Sequence, residues 1–535
     1  MRAQAARLAP TADNRRWWTL AAMSFALFMI MLDNTVVNVA LPTIQRELDA
    51  SIAGLQWTMN AYTLAFGVLL VTGGRLGDIF GRRKVFLLGV GTFAGSSLAI
   101  GFSPDETWMI AFRALQGVGA AMMMPATLSI ITNVFPPHER GKAIGTWAGV
   151  SAVALAIGPL VGGFLTEEAG WHWIFFLNVP VAIGAVIVTL FATRESRDDT
   201  VEKRVDIPGV AALSAGLGAL VLALVQSNTW GWDSPRIIAL LAFSVVGLAA
   251  FAYIETHTRV PMVDFQFFKS RSFFGASTVA FFVSFAMLAM FFFLALYMQN
   301  VHGFSPLEAG VRFLPSTLVV MVVGPIAGRL ADKVGPRLPM TVGMTIVAGA
   351  LVWMSFFTVD TGDAFMLPAY AMMGLGIGLV MAPMSTAAMN AVHMTKAGVA
   401  SGVLSMSRMV GGTFGIAVLG ALLASSGGRK LAELLPNVPD DVRHRIADAL
   451  GSGAGEISAN PQVVSAAHEA YVSAMSFGLR LSAVLVIGAA IVAWALVGRD
   501  RAAQEPAPEP VPAAPAPVTG ELAAAPAAQP EPERV

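Results

Sequence analysis

Fourteen stretches of roughly 20 apolar residues, separated by short polar loops, leave this chain few ways to fold. They lie near 17–41, 54–73, 85–103, 107–132, 142–165, 172–193, 207–226, 236–255, 273–299, 307–327, 339–358, 365–390, 398–424 and 474–498. A run of that length crosses ~30 Å of hydrocarbon as a helix. Inside lipid the backbone must satisfy its own polar groups, which leaves helices and closed barrels, and the run lengths are those of helices. The fold class expected is therefore an all-α integral membrane protein. Of 535 residues, 56% are hydrophobic and 13% charged, against about twice that charged share in a soluble domain. Formal net charge is zero, which gives no footing for nucleic acid. The absence of cysteine removes disulfides, thiolate metal sites and cysteine nucleophiles together. The histidines form no H-E-x-x-H pair, and G-x-S-x-G and G-x-x-x-x-G-K-[ST] are both missing. No metal, no cofactor and no enzymatic activity are expected. The first run, from Trp17, is too long for a signal peptide and has no A-x-A site, so it reads as a retained span.

A short charged loop occurs twice. Gly74-Arg-Leu-Gly-Asp-Ile-Phe-Gly-Arg-Arg-Lys84 returns as Gly328-Arg-Leu-Ala-Asp-Lys-Val-Gly-Pro-Arg337, both keeping G-R-L-small-D-x-x-G-x-R. With the seventh and eighth spans set aside, each copy follows the second span of a six-span half. The expected organisation is a cytoplasmic N-terminus 1–16, a six-helix bundle 17–193, a linker 194–272 with helices 7 and 8, and a second bundle 273–498. That bundle includes an outer loop, 425–473, in which Asp440 to Leu450 reads as an amphipathic helix. Residues 499–535, rich in Pro, Ala and Glu, are expected to be a disordered cytoplasmic tail. Lys and Arg gather on one side: Arg15, Arg16, Arg82, Arg83, Lys84, Arg140, Lys142, Arg329, Lys333 and Arg337 all fall inside when the N-terminus is inside. The positive-inside rule then puts both termini in the cytoplasm of a multi-pass protein of the plasma (inner) membrane.

In the repeated loop the glycines, Gly74 and Gly81 among them, let helix ends approach closely. Asp78 and Asp332 are carboxylates at a membrane boundary, suited to a cation or a helix N-terminus. Arg82, Arg83 and Arg337 could equally be plain positive-inside anchors. Other stretches narrow the choice. They are Leu32-Asp-Asn-Thr-Val-Val-Asn-Val-Ala-Leu-Pro42, Arg113-Ala-Leu-Gln-Gly-Val-Gly119, Gly149 through Gly158-Pro159-Leu-Val-Gly162-Gly163, Trp171-His-Trp-Ile-Phe-Phe-Leu-Asn-Val-Pro180, and Ser401-Gly through Arg408-Met-Val-Gly-Gly412. Together with the loop they resemble the major facilitator superfamily, and within it the fourteen-span drug:proton antiporters of multidrug efflux type. The resemblance covers nearly the whole chain. It implies two pseudo-symmetric six-helix bundles plus two inserted linker helices. It further implies a cytoplasmic latch built on Asp78 and the arginines, a proton-transfer role for Arg113, and an antiporter motif at Gly149, Gly158, Pro159, Gly162 and Gly163. The second loop has Pro336 where the first has Arg82, so that half of the latch should be weaker.

Depth arguments agree. Asp33 lies about 24 Å from the start of its span and Arg113 about 9 Å from the opposite edge, so the two meet within a turn in a span ~35 Å long. A lone charge there costs ~2.5–3.5 kcal/mol, and such residues pair or face water. Burial disfavours the carboxylate's charge and a guanidinium favours it, so substrate or water moving near the pair could load or release a proton. A static ion pair is the alternative. In the fifth span, Gly145 and Gly149, then Gly158 and Gly162, read as two small-x-x-x-small pairs on closely related faces, for a seal against proton leak or for ordinary packing. Candidates for a central cavity are Asn34, Asn38, Asn60, Gln116, Met124, Phe285, Met381 and Met384, adaptable groups that could as well face lipid or pack between helices.

The function these readings imply is proton-coupled secondary transport, exporting hydrophobic or amphiphilic organic compounds by alternating access. The narrower alternative is export of one metabolite, antibiotic, siderophore or lipid. Its partners would be the organic substrate, protons from the gradient and membrane lipid, with no nucleic acid, and it would act as a monomer.

Overall fold

Each expected span is a helix. The computed structural model describes residues 14–50, 52–197, 206–258, 261, 263, 265–304, 306–436, 438–439 and 461–498. The helices are α1 Arg15–Leu48, α2 Ile52–Phe80, α3 Arg82–Gly101, α4 Glu106–Val134 and α5 Pro137–Glu168. Next come α6 His172–Ala192, interrupted at Leu177, then α7 Ile207–Trp230 and α8 Pro235–His257. The second half holds α9 Arg271–Leu296, α10 Pro306–Val334, α11 Arg337–Met354, α12 Asp363–Asn390, α13 Ala397–Leu434 and α14 Pro461–Leu496. Among the described residues, 13 helices are long and apolar enough to cross a membrane. The remaining one, α5, has 32 residues and carries the expected fifth span.

Local chemistry sets the boundaries. Gly81, at φ 110, makes the sharp turn between α2 and α3 that a side chain would strain. Asp105 caps α4 by accepting from Trp108 N at 2.8 Å, and Asp206 caps α7 from Gly209 N at 3.0 Å. Proline stands at the start of α5, α7 and α8, where no backbone donor is lost. One expectation changes: α13 runs on to Leu434 and α14 starts at Pro461, so much of the segment read as outer loop 425–473 is helix. Ala466, Ala467, Ala470 and Tyr471 continue the buried stripe of α14, and that periodicity outweighs the polar residues between them. Asp440 to Leu450 and the tail 499–535 lie outside the described residues.

The halves repeat one packing scheme. In the first, α2 and α3 both pack on α4; in the second, α10 and α11 both pack on α12. They join along two seams, α5 against α10 and α2 against α13, while α7 and α8 pair with each other and α7 also touches α2 and α13. Small residues let the seams close. A Cβ on Gly145 would stand 2.5 Å from the Gly324 carbonyl oxygen, one on Gly141 would strike the Gly328 carbonyl, and one on Gly74 the Gly398 carbonyl.

Candidate functional site

The deepest polar cluster joins α1, α4 and α6. Arg113 Nη1 donates to Asp33 Oδ2 at 2.6 Å and to Gln116 Oε1 at 2.6 Å. Gln116 Nε2 returns a bond to Asp33 Oδ1 at 2.9 Å, and Asn178 Nδ2 adds another at 3.1 Å. Arg113 and Gln116 are fully buried and Asp33 is 3% exposed. Register explains the pairing. Arg113 and Gln116 are one turn apart on α4, so guanidinium and amide share a face. The guanidinium also donates from Nε to the Thr58 carbonyl at 3.2 Å and lies 4.3 Å from the Tyr62 ring centroid. Its Nη2 is enclosed without an acceptor among the described residues.

Asn178 begins the second piece of α6, just past the interruption at Leu177. Its Nδ2 also donates to Ser97 Oγ at 2.9 Å, and Ser97 donates to the Phe175 carbonyl at 2.9 Å. The carboxylate of Asp33 is thus tied, through α3, to the break in α6. Asn178 stood inside the Trp171–Pro180 stretch with no role assigned to it. Ser97, Thr58 and Tyr62 left no mark in the sequence beyond being polar or aromatic within apolar runs.

A second constellation closes the face expected to be cytoplasmic. Asp78 accepts from Arg82 at 2.7 Å within its own half, and from Gly398 N and Val399 N of α13 at 3.0 and 2.9 Å. It therefore caps a helix N-terminus of the opposite half, where a carboxylate meets both free N–H groups and the helix dipole. Arg82 Nη2 completes the contact by donating to the Met394 and Thr395 carbonyls at 2.8 and 2.7 Å. The repeat reproduces half of this: Asp332 accepts from Gly141 N and Lys142 N of α5 at 3.0 and 3.1 Å. With Pro336 in place of an arginine, the bonds found for Asp332 are to backbone N–H groups alone. Two expected members stand elsewhere. Arg337 lies over the Trp494 ring at 4.2 Å, inside its own half, because α11 starts there and turns the side chain toward α14. Arg83 takes part through its backbone N–H, which donates to Glu195 Oε1 at 3.0 Å. Glu195 and Arg140, which donates to Asn390 Oδ1 at 3.2 Å across the halves, belong to this face; the sequence marked Arg140 only by its side of the membrane and Glu195 not at all.

The glycines of α5 divide differently from the expectation of related faces. Gly145 and Gly149 face α10, whereas Gly158 and Gly162 face Thr35 and Val36 of α1. At ~100° per residue, the nine residues from Gly149 to Gly158 bring the second pair to the opposite side of the helix. A Cβ on Gly163 would meet nothing within 4 Å. The side chain of Pro159 is outside the described residues, and the helix continues through it.

The cavity candidates also separate. Gln116 belongs to the charged cluster rather than to a ligand surface. Phe285 packs against Phe282 and Phe414, Met384 is fully buried, and Met124 is nearly so. These large apolar groups are consumed by helix packing. Asn34 donates to its own helix at Ile30 O (2.8 Å); Asn60 and Met381 are half-buried. The side chain of Asn38 lies outside the described residues.

The model of the Major Facilitator Superfamily matches residues 23–416. The chain belongs to that superfamily. Among relatives within it, the tetracenomycin C resistance and export protein of Streptomyces glaucescens is 36% identical over 518 residues, 93% of this chain and 95% of that one. The multidrug resistance protein Stp of Mycobacterium tuberculosis is 35% identical over 447 residues, 83% and 82% of the two chains. The crystal structure of the human organic anion transporter MFSD10 (TETRAN) aligns with a TM-score of 0.57 at 14% identity, over 88% of this chain and 99% of that one, a likeness of fold. As a major facilitator protein the chain is a multi-pass membrane protein, with the paired halves that the repeated loop predicts.

Proposed function

We propose that this protein exports hydrophobic or amphiphilic organic compounds across the bacterial plasma membrane by alternating access, driven by protons flowing inward through Asp33. The observation that carries this is the buried carboxylate, held at once by Arg113, Gln116 and Asn178. Three donors occupy most of the roughly four acceptor sites of an ionised acid; protonation turns one of those sites into a donor and removes the charge that Arg113 pairs with. A proton arriving at Asp33 therefore loosens the contact of α1 with α4 and α6. Arg113 keeps its charge and acts as the fixed cation against which the proton competes.

At the other end the Asp78–Arg82 contact holds the seam between α2 and α13, so opening there requires four hydrogen bonds across the halves to break together. One charge moved through ~100 mV supplies ~2.3 kcal/mol, enough for about 50-fold accumulation. The protein acts as a transporter, not an enzyme, with no cofactor beyond the gradient. It works as a monomer in lipid, with both termini in the cytoplasm and the two bundles joined by α7 and α8. The multidrug relative supports a broad substrate range. The relative named for tetracenomycin C, matched over 93% of this chain, supports a second reading as a dedicated exporter.

The test is flux in proteoliposomes under an imposed pH gradient, with a panel of apolar dyes and antibiotics. Asp33→Asn should abolish gradient-driven export at unchanged protein level; full transport by that variant refutes the scheme.

A further inference from the structure

Of the deep charges discussed above, one is held only weakly. Asp33 pairs with Arg113, Asp78 with Arg82, Asp332 with two backbone N–H groups, and Arg140 with Asn390 and the Phe135 carbonyl. Arg408, on α13, has no carboxylate within ion-pair distance among the described residues. Its Nη2 reaches Ser405 Oγ, one turn back on the same helix, at 3.4 Å, the limit of a hydrogen bond. Its Nε is enclosed with no acceptor among the described residues, while the residue as a whole stays partly exposed.

Position gives this cation a role. A rise of ~1.5 Å per residue puts it about 16 Å up α13 from Ala397, near the middle of the bilayer and beyond reach of either headgroup layer. Its neighbours fix its side of the helix. Met409 lies on Gly67 of α2, in the other half, whereas Gly411, Gly412 and Gly415, three, four and seven residues on, meet α9 at Phe281, Leu288 and Phe285. Arg408 shares the side of Gly411 and Gly415, next to the seam between the halves. At ~100° per residue it therefore faces α9, one step around α13 from the Met409 contact with α2. Lipid offers a guanidinium at this depth no counter-charge, and an unpaired charge there is costly unless it meets water or a ligand.

We propose that Arg408 is an anion-binding subsite of the transport pathway, receiving the carboxylate, sulfonate or phenolate of an amphiphilic organic anion. The proposal rests on the export reading above and names a substrate class for it. The planar fork of the guanidinium suits a two-oxygen anion, and the partly exposed ring of Phe281, whose backbone meets Gly411, suits the apolar body attached to it. The first half holds its acid and base together as a neutral pair, so the second half contributes the unbalanced positive charge.

Two fluorescent probes share a scaffold and differ by one sulfonate: 8-anilino-1-naphthalenesulfonate and N-phenyl-1-naphthylamine. Binding of each to the full-length protein in phosphatidylcholine nanodiscs, above empty nanodiscs, is measured for the wild type, Arg408→Gln and Arg408→Lys. The wild type should bind the sulfonate at least tenfold more tightly than the neutral probe. Arg408→Gln should remove that preference while changing neutral binding less than twofold, and Arg408→Lys should keep part of it. A wild type with no preference overturns the proposal even if the glutamine variant does not fold, as does a variant that weakens both probes equally or neither. Repeating the titration with one third phosphatidylglycerol separates the source of the anion; competition by that lipid would make a headgroup phosphate the occupant and would also overturn it. Gradient-driven flux of the neutral probe tests the export reading on its own. Flux without sulfonate preference removes only the subsite, and Arg408-dependent sulfonate binding without any driven flux removes only the export reading.

Discussion

Arg82 stands 2.7 Å from Asp78 in its own half and 2.7 Å from the Thr395 carbonyl oxygen in the other, so a single guanidinium is shared across the molecular seam. Both side chains of the ion pair are 1% exposed. Removing one partner of such a pair leaves a buried charge and costs ~3–5 kcal/mol, which here is charged to the closed state alone.

The first prediction follows from that. The chain has no cysteine, so a single one reports cleanly. Ser401→Cys, at a fully buried position on α13, should react slowly with a membrane-impermeant maleimide. In an Arg82→Ala background the rate should rise at least tenfold as the seam opens. An unchanged rate would mean that the seam is held by backbone packing at Gly74 and Gly398 rather than by the charges.

The glycines of α5 give a graded series. Gly145→Ala drives a methyl group against the Gly324 carbonyl oxygen at 2.5 Å, in the seam with α10. Gly158→Ala strikes Thr35 on α1, two residues from Asp33, whereas Gly163→Ala enters open space. Overpacking costs ~1–3 kcal/mol. The first two variants should lose thermal stability in detergent and transport rate, and Gly163→Ala should match the wild type in both. Gly158→Ala should also disturb proton coupling more than Gly145→Ala, read as the ratio of protons taken up to substrate moved.

Asn178→Leu keeps the branched outline of the side chain, in a larger volume, and removes its donor to Asp33. The leucine also leaves Ser97 Oγ without the bond it now accepts from Asn178. A buried acceptor stripped of its donor costs ~1–3 kcal/mol. Gradient-driven exchange should fall at least tenfold, with substrate binding at equilibrium little changed. Equal loss of binding and exchange would make Asn178 a packing residue only.

The order of helices was legible because twenty-residue apolar runs and a repeated charged loop are strong, local signals. The meeting of Asp33 with Arg113 was legible as well, since depth in a membrane is nearly one-dimensional and two counted distances suffice. What escaped the sequence depends on rotation about helix axes. Nothing in the order of residues says that Arg82 reaches the carbonyls of Met394 and Thr395, or that Arg337 turns to Trp494 instead. Gln116 was visible as a polar residue in an apolar span; that its amide serves the ion pair rather than a ligand depends on which face α4 turns to α1. The helical ends of the segment 425–473 were hidden by glycines and charges that a long helix tolerates where it leaves the bilayer.

The last prediction concerns the end of the second half opposite the repeated charged loop. There α9 ends in a π-helical turn, Tyr297–Val301, and His302 stacks on Phe304 at 5.3 Å and meets the Tyr297 ring edge-on at 4.8 Å. Arg312 lies 3.6 Å from the Phe304 ring centroid and pairs with Asp363 at 2.8 Å. The imidazole Nε2 is enclosed without a partner among the described residues. Desolvation holds His302 below its ordinary value of 6.5; Asp363 and Asp360 oppose that shift, while Arg312 and His468 add to it. The folded protein thus favours the neutral ring, and on acidification the unfolded chain takes up the proton first. The resulting stability is present above about pH 6.5 and is lost as pH falls from there through the lower value of the folded protein. His302→Phe keeps the stacking and removes the titration. Its melting temperature should therefore fall less between pH 7.5 and 5.5 than that of the wild type, with the two proteins closest at the alkaline end. Parallel curves would show that the acid limb belongs to His468 or to the carboxylates instead.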